Sequence, residues 1–261
     1  QQWMYLENIF QSADIKKQLG ATVSKFEQVD KYFKQLMIKT QKSSNCIKIV
    51  KTSFQLVEQL RTQNETLELI TKALQEYMER KREAFPRFYF LSDDELLEIL
   101  ANSDNKDVIM LHLKTLFDNL VKLDIQDVEI LRMHSREKEV IDFTKSVKMR
   151  APVEGWLLAV ECEMKVTIMR RMKEGNKNYT EAGRKQWTIS NPGQVVATVA
   201  QIQWCAGTED ALNGMQDDRS SLQTWKEQND TQLRSLTELV RSNLTDLERC
   251  IIVALITTDV H

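Results

Sequence analysis

Pro86 stands between two helical patterns and constrains what the chain on either side can do. Proline removes a backbone donor and disfavours helical geometry at Phe85, so the polar helix carrying Glu79, Arg80, Lys81 and Arg82 must stop there. Phe88, Tyr89, Phe90 and Leu91 then form a short apolar run that has to be buried against a neighbour. Phe88 and Phe90 alternate with Arg87 and Tyr89, so both phenylalanines are expected to point into the core, making Phe85, Pro86, Phe88 and Phe90 a structural anchor. Ser92 is placed as an N-cap, and Glu95 completes a capping box ahead of Leu96, Leu97, Ile99 and Leu100. The stretch therefore reads as a helix, a stop, an anchor and a second helix.

The same logic extends along the chain because turn-formers are scarce: 7 Gly and 3 Pro in 261 residues favour long helices over many short strands. Trp3, Tyr5, Leu6, Ile9 and Phe10 give a first apolar face, with Ser12 or Asp14 able to cap a short second helix. Phe26, Val29, Phe33, Leu36 and Met37 recur at helical spacing, and that helix is expected to end before Lys39 to Asn45. Another begins near Cys46 and carries Phe54, Val57 and Leu60. Leu67, Ile70, Leu74, Tyr77 and Met78 continue to the proline stop, and short connections predict antiparallel bundles. Val108, Leu111, Leu113, Leu116, Phe117 and Leu120 mark a further helix.

Between Val128 and Met149 the period changes to alternation with a charged break at Ser135 to Glu139, which predicts a small hairpin or meander. Helical spacing returns after Pro152 with Trp156, Leu157, Val160, Met164, Ile168 and Met172, the methionines filling a core face. Gly175 to Gly183 reads as a loop. Asn191 and Pro192 form a cap-plus-first-turn start for Val195, Val199, Ile202 and Trp204. From Leu222 the apolar residues follow three-four spacing, and a helix unbroken from Ser221 to Thr257 would be about 55 Å long at ~1.5 Å per residue. The spacing is interrupted at Ser242 and Asn243, residues of low helix propensity, before the all-round apolar run IIVALI, which makes this pair a candidate hinge.

The expected fold is mainly α: an elongated arm of packed antiparallel bundles with one small β-hairpin or meander near residues 128–149. Its parts are residues 1–124, a β insertion at 125–150, and residues 151–261. Because the chain starts at Gln1 and ends at His261 inside an apolar helical pattern, it is expected to belong to a longer polypeptide.

Chemistry-bearing patterns are sparse. Lys and Arg total 36 against 38 Asp and Glu, without the clearly basic balance that nucleic acid demands. No apolar run reaches the ~18–20 residues of a membrane span. No nucleic-acid or membrane partner is therefore expected. The glycines never form G-x-x-x-x-G-K-S/T or G-x-G-x-x-G, so no phosphate cradle is expected. Cys46, Cys162, Cys205 and Cys250 are scattered and read as reduced, mostly buried thiols. His112, His134 and His261 are isolated and read as surface or satisfied helix residues. Asp93, Asp94 and Glu98 could hold Mg²⁺, but acids in a first helical turn also complement the helix dipole. No catalytic, cofactor or metal residue is expected.

The stretch FPRFYFLSDDELLEIL resembles the corresponding motif in the linker of dynein heavy chains. WMYLENIF at Trp3 to Phe10, ADIKKQL at Ala13 to Leu19, VEGWL at Val153 to Leu157, PGQVV at Pro192 to Val196, and the segment Leu239 to His261 agree in the same order. Leu91 and Ser92 after FPRFYF, with QQWMYLENIF at the start, look closer to axonemal than to cytoplasmic dyneins.

The resemblance implies a mechanical arm between the tail and the AAA+ ring of a motor, with a small β element about where the alternation falls. By the same resemblance the partners are the AAA+ ring of the same heavy chain, other dynein subunits and, through the full motor, microtubules. ATP and Mg²⁺ would be bound elsewhere in the chain, and the setting would be the cytoskeleton of a cilium or flagellum. A generic helical scaffold is the alternative, and internal repeats, which would favour it, are absent. A helical Mg²⁺-dependent enzyme rests on the acidic residues alone.

Overall fold

Helix α5 (Leu56–Ala84) organises the first half of the protein, and the reason lies in its spacing: Ile70, Leu74, Tyr77, Met78 and Lys81 fall on one face and are all buried. The computed structural model describes residues 2–42, 45–52, 55–103, 105–150, 152–179, 183–216 and 218–260. Before α5 come α1 (Gln2–Ile9), α2 (Ala13–Gln18), α3 (Gly20–Lys42) and α4 (Cys46–Thr52). After it come a 3-10 turn (Pro86–Phe90), α6 (Asp93–Ala101) and α7 (Lys106–Leu116). Three strands follow, β1 (Leu120–Gln126), β2 (Glu129–Ser135) and β3 (Val140–Lys148). Five helices complete the described residues: α8 (Val153–Lys177), α9 (Arg184–Ser190), α10 (Gly193–Gly214), α11 (Ser221–Val240) and α12 (Asp246–Val260). The fold is mainly α with one small antiparallel meander, as the sequence implies.

The chain forms two compact units, one from Gln1–Asp118 with Met149–Leu158, the other from Asn119–Lys148 with Ala159–His261. The sheet thus groups with the C-terminal helices, and the first residues of α8 group with the N-terminal bundle.

In the first unit α3 packs along α5. Leu6 and Phe10 join Ile15, Val23, Phe26 and Val29 in the core, with the Phe10 and Phe26 rings 5.1 Å apart. Trp3 stacks on Phe33 at 4.5 Å, and its indole N–H donates to Asp30 at 3.1 Å. Three expectations need correction. Helix α3 runs on to Lys42, past the polar stretch that was expected to end it, because Lys39 to Lys42 contains no Gly or Pro to break it. Helix α4 ends at Thr52 and α5 starts at Leu56, so Val57 and Leu60 belong to α5, where both are exposed. Phe54 and the side chains of Asp14 and Cys46 lie outside the described residues. The expected Ser12 cap is also absent: its hydroxyl donates to the Ala101 carbonyl at 3.2 Å instead.

In the second unit the strand order is β1-β2-β3. Leu123 faces Met133, Met133 faces Ile141, and Ile130 faces Val147. The sheet begins earlier than expected: Leu120, assigned by spacing to a helix, opens β1, because α7 already ends at Phe117 in extended geometry. Leu120, Leu123, Ile130, Met133, Phe143 and Val147 are buried. The β1–β2 turn uses Asp127 at φ 53, and Lys138 takes φ 67 in the β2–β3 turn, which falls where the charged break was read. Helix α8 protects β3: the Thr144 amide donates to the Thr167 hydroxyl at 3.0 Å, and the Lys145 amide to Glu163 at 2.9 Å.

Trp187 centres a second core with Val195, Val196, Val199, Ala200, Leu236 and Leu255, and its indole N–H donates to the Gly175 carbonyl at 2.8 Å. Gly175 is a helix residue here, because α8 continues to Lys177. A Cβ at this position would sit 2.8 Å from Val195 Cγ1, so only glycine lets the two helices meet. Met172 packs against this core, whereas Met169 is exposed. Ile202 and Trp204 are also exposed, because the buried stripe of α10 is formed by Val195, Val196, Val199 and Ala200. Cys162, Cys205 and Cys250 are free and exposed on the outer faces of their helices, contrary to the expected burial. Among the described residues no helix is long and apolar enough to cross a membrane.

Candidate functional site

Two places hold the residues singled out from the sequence: the anchor after α5 and the connection between α11 and α12. At the first, α5 stops at Ala84 with Phe85 extended (φ −137, ψ 93), as Pro86 demands. Residues 86–90 then wind as a 3-10 turn, whose period of three places Phe85, Phe88 and Leu91 on one side. All three are buried, and the Phe85 and Phe88 rings meet edge-on at 5.0 Å. Phe90 is 65% exposed, so its expected inward direction is corrected: alternation assumed a two-residue period, and the turn has a three-residue one.

Polar contacts hold the turn from both sides. Arg87 lies over the Phe117 ring at 4.6 Å and donates to the Leu116 carbonyl at 3.0 Å. Tyr89 donates to Glu79, and that bond raises the phenol pKa above its ordinary value. Ser92 and Glu95 form the capping box, and these bonds hold the Glu95 carboxyl below the usual carboxylate range. Just before the stop, Lys81 and Glu154 pair at 2.5 Å with both side chains nearly buried, joining α5 to the first turn of α8. Nothing in the sequence pairs these two residues, which are 73 positions apart.

The acidic residues near the anchor are engaged with protein partners. Asp93 accepts from Arg82 at 2.8 Å, and Glu98 lies 3.0 Å from His112 Nε2. Asp94 faces Tyr5, whose pKa is raised by burial and then by the charges of Asp94 and Asp93. Tyr5, Asp94, Leu97 and Glu98 help line a shallow hollow of about 260 Å³. Among the described residues no three His, Cys, Asp or Glu side chains are grouped to hold a metal. His134 sits on a strand rather than a helix, 2.8 Å from Asp124, and this contact is the main cause of the lowered Asp124 pKa. His261 lies outside the described residues.

At the second place the expected single long helix is two helices. Helix α11 ends at Val240 and α12 begins at Asp246. The break has a local cause. The Ser242 hydroxyl and amide both donate to the Leu239 carbonyl, at 2.7 and 2.9 Å, which closes the last turn. Thr245 then starts α12 with its own capping box: its amide and hydroxyl donate to Glu248 at 2.8 and 2.7 Å, and the Glu248 amide returns to the hydroxyl at 3.3 Å. The T-x-x-E signature was present in the sequence, directly after the interruption read at Ser242 and Asn243. Ser242 and Asn243 therefore lie in an existing connection, exposed to solvent.

Arg249 spans the break by donating to the Val240 carbonyl at 2.8 Å. Leu236 of α11 and Leu255 of α12 share the Trp187 core. Farther along α12, Asp259 pairs with Arg184 at 2.6 Å, and Arg184 also bonds Tyr179, whose pKa is raised chiefly by burial. Helix α10 starts one residue later than expected, after Pro192, because the Asn191 side chain turns back to the Trp187 carbonyl at 2.8 Å. The Gly193 amide donates at 2.8 Å to Glu139 in the β2–β3 turn.

Comparison with known proteins bears on both places. The family model for the dynein heavy chain, N-terminal region 2, matches residues 1–175, which include the whole anchor. Dynein axonemal heavy chain 2 of Homo sapiens is 40% identical over 272 residues, covering 100% of this chain and 6% of its own length. Dynein axonemal heavy chain 6 of Homo sapiens is 36% identical over 281 residues, covering 99% of this chain and 7% of its own. Dynein axonemal heavy chain 12 of Mus musculus is 36% identical over 264 residues, covering 100% of this chain and 8% of its own. This chain thus spans less than a tenth of the length of these relatives. With the family model covering well over half of it, the chain belongs to the dynein heavy chain family, as part of its N-terminal region.

Proposed function

We propose that this chain is the non-catalytic linker segment of an axonemal dynein motor, carrying shape changes from an ATP-driven AAA+ ring in the same polypeptide to the tail. The observation that supports this most is the full-length similarity to axonemal heavy chains in a sequence without a phosphate-binding loop. In this reading the fragment holds no nucleotide or metal, and ATP and Mg²⁺ act elsewhere in the chain. Its partners are the AAA+ ring, other dynein subunits and, through the full motor, microtubules of a cilium or flagellum. The packed turn at Phe85 and Phe88 provides stiffness, and the connection holding Ser242 and Asn243 is where bending concentrates.

Two measurements test this. The purified chain should give no heat of binding and no turnover with Mg²⁺-ATP, and measurable hydrolysis from a clean preparation would contradict the assignment. In the complete heavy chain, Ser242→Ala/Asn243→Ala should remove the bonds that close the end of α11 and stiffen the connection. Microtubule gliding should slow while ATP hydrolysis persists. Unchanged gliding would remove bending from this connection.

A further inference from the structure

The shallow hollow at α1, α2 and α6 combines an apolar floor with an acidic rim. Asp94, Leu97, Glu98 and Ala101 stand at i, i+3, i+4 and i+7 of α6, so one helical face forms one side of it. Tyr5 and Ile9, one turn apart on α1, form the other, and Ile15 of α2 completes the lining. Leu97 and Ile15 are buried, Ile9 and Ala101 are half-buried, and Tyr5, Asp94 and Glu98 are exposed, which sets the apolar residues below and the polar ones above.

The charge at the rim is incompletely answered from within the protein. Helix α6 carries Asp93, Asp94, Glu95 and Glu98, with no lysine or arginine until Lys106. Arg82 pairs with Asp93, the Ser92 cap engages Glu95, and His112 faces Glu98. Among the described residues no lysine, arginine or histidine pairs with Asp94. The raised Tyr5 pKa, caused by burial and then by Asp94 and Asp93, reports the same negative field at the mouth of the hollow. Apolar walls beneath such a carboxylate suit a side chain with a long aliphatic stem and a cationic head.

We propose that this hollow receives one arginine side chain from an extended basic segment of a partner protein, its methylene stem on Ile9, Leu97 and Ala101 and its guanidinium among Asp94, Glu98 and the Tyr5 ring. Size and charge select this occupant. At about 260 Å³ the hollow falls below the ~300–1,000 Å³ that encloses a free drug-sized ligand, so it covers a single side chain while the rest of the segment stays outside. Arginine fits better than lysine because its planar fork pairs with a carboxylate through two parallel bonds and also stacks on an aromatic face. A divalent cation asks for about six oxygen ligands, and among the described residues no three metal-capable side chains are grouped. Phosphate-bearing ligands and anionic membranes meet charge of the wrong sign. The inference rests on the N-terminal unit alone and does not depend on the linker assignment.

The test uses the whole 261-residue chain and a short fluorescent peptide with arginine at its centre, alanine on either side and lysine beyond. Citrulline in place of the arginine keeps the shape and removes the charge, and lysine keeps the charge and removes the fork. By fluorescence anisotropy the arginine peptide should bind about tenfold tighter than the citrulline peptide, and about threefold tighter than the lysine one. Asp94→Asn removes the carboxylate and Ala101→Phe fills the hollow, and each should erase the preference for arginine. Asp94 is exposed, so Asp94→Asn keeps the fold, as far-UV circular dichroism should verify, even where Ala101→Phe does not. Equal affinity for the arginine and citrulline peptides overturns the proposal, as does an arginine preference that survives Asp94→Asn in folded protein. Lysine binding as tightly as arginine would reduce the hollow to a general acidic surface and overturns it too. No detectable binding of the arginine peptide up to about 1 mM has the same force.

Discussion

Truncating Phe88 to alanine should destabilise the N-terminal unit by about 3–5 kcal/mol, whereas Phe90→Ala should stay within about 0.5 kcal/mol. Phe88 is fully buried against Phe85, and Phe90 is 65% exposed two residues away. An aromatic side chain removes about 150–250 Å² from water, worth roughly 4–6 kcal/mol at 25 cal/mol per Å². Alanine keeps part of that surface, and a denatured chain already buries some of it, which brings the loss into the stated range. The stop at Pro86 and the capping box at Ser92 fix the backbone on both sides, so the site has little freedom to collapse into the cavity. Urea denaturation followed by far-UV circular dichroism reads the difference, and thermal melting should fall by roughly 6–20 °C for Phe88→Ala. If Phe90→Ala costs as much as Phe88→Ala, the segment does not follow a three-residue period and the packing argument fails.

Gly207→Ala should be destabilising by about 1–3 kcal/mol or more, since a Cβ there would lie 2.2 Å from Trp225 Cη2. A red-shifted tryptophan emission would report the displaced ring, and an unchanged spectrum and melt would refute the contact. Thr245→Ala should cost α12 about 1 kcal/mol. The Thr245 bonds lower the Glu248 pKa from its ordinary 4.5, so their contribution is complete above that value and fades as pH falls through the folded-state pKa. The gap in urea midpoint between parent and variant should therefore narrow below pH 4.5, and a gap that widens there would reverse the sign. Lys81→Met should cost about 3–5 kcal/mol by leaving the Glu154 carboxylate buried without its cation, and adding Glu154→Leu should recover most of that loss. Equal stability of the single variant and the parent would show that the pair is solvated.

What was legible beforehand follows from how local each cause is. Pro86, Ser92 and Glu95 act within a turn of themselves, so the stop and the restart could be read directly. The meander was visible as a change of period, but its first strand was hidden because Leu116, Phe117 and Leu120 also satisfy helical spacing. Phe90 was misplaced because alternation and a 3-10 turn differ by one residue per repeat, and only packing distinguishes them. The long terminal helix was overestimated for the opposite reason: its apolar spacing resumes beyond the interruption at Ser242 and Asn243, while local bonds made by Ser242 and Thr245 end one helix and begin another. Lys81 with Glu154, and Arg184 with Asp259, could not be paired at all, since their meeting depends on the tertiary fold.

The bond that the Gly193 amide donates to Glu139 couples the protection of one helix end to a hairpin. Helix α10 begins after Pro192 without a side-chain cap of its own, so its first free amide relies on a carboxylate from a hairpin 54 residues earlier. Hydrogen exchange in that first turn is then governed by the hairpin: opening the β2–β3 turn should release the Gly193 amide to solvent even while the middle of α10 stays protected by the Trp187 core. A pairing far away in the chain thus sets how well a local helical end is protected.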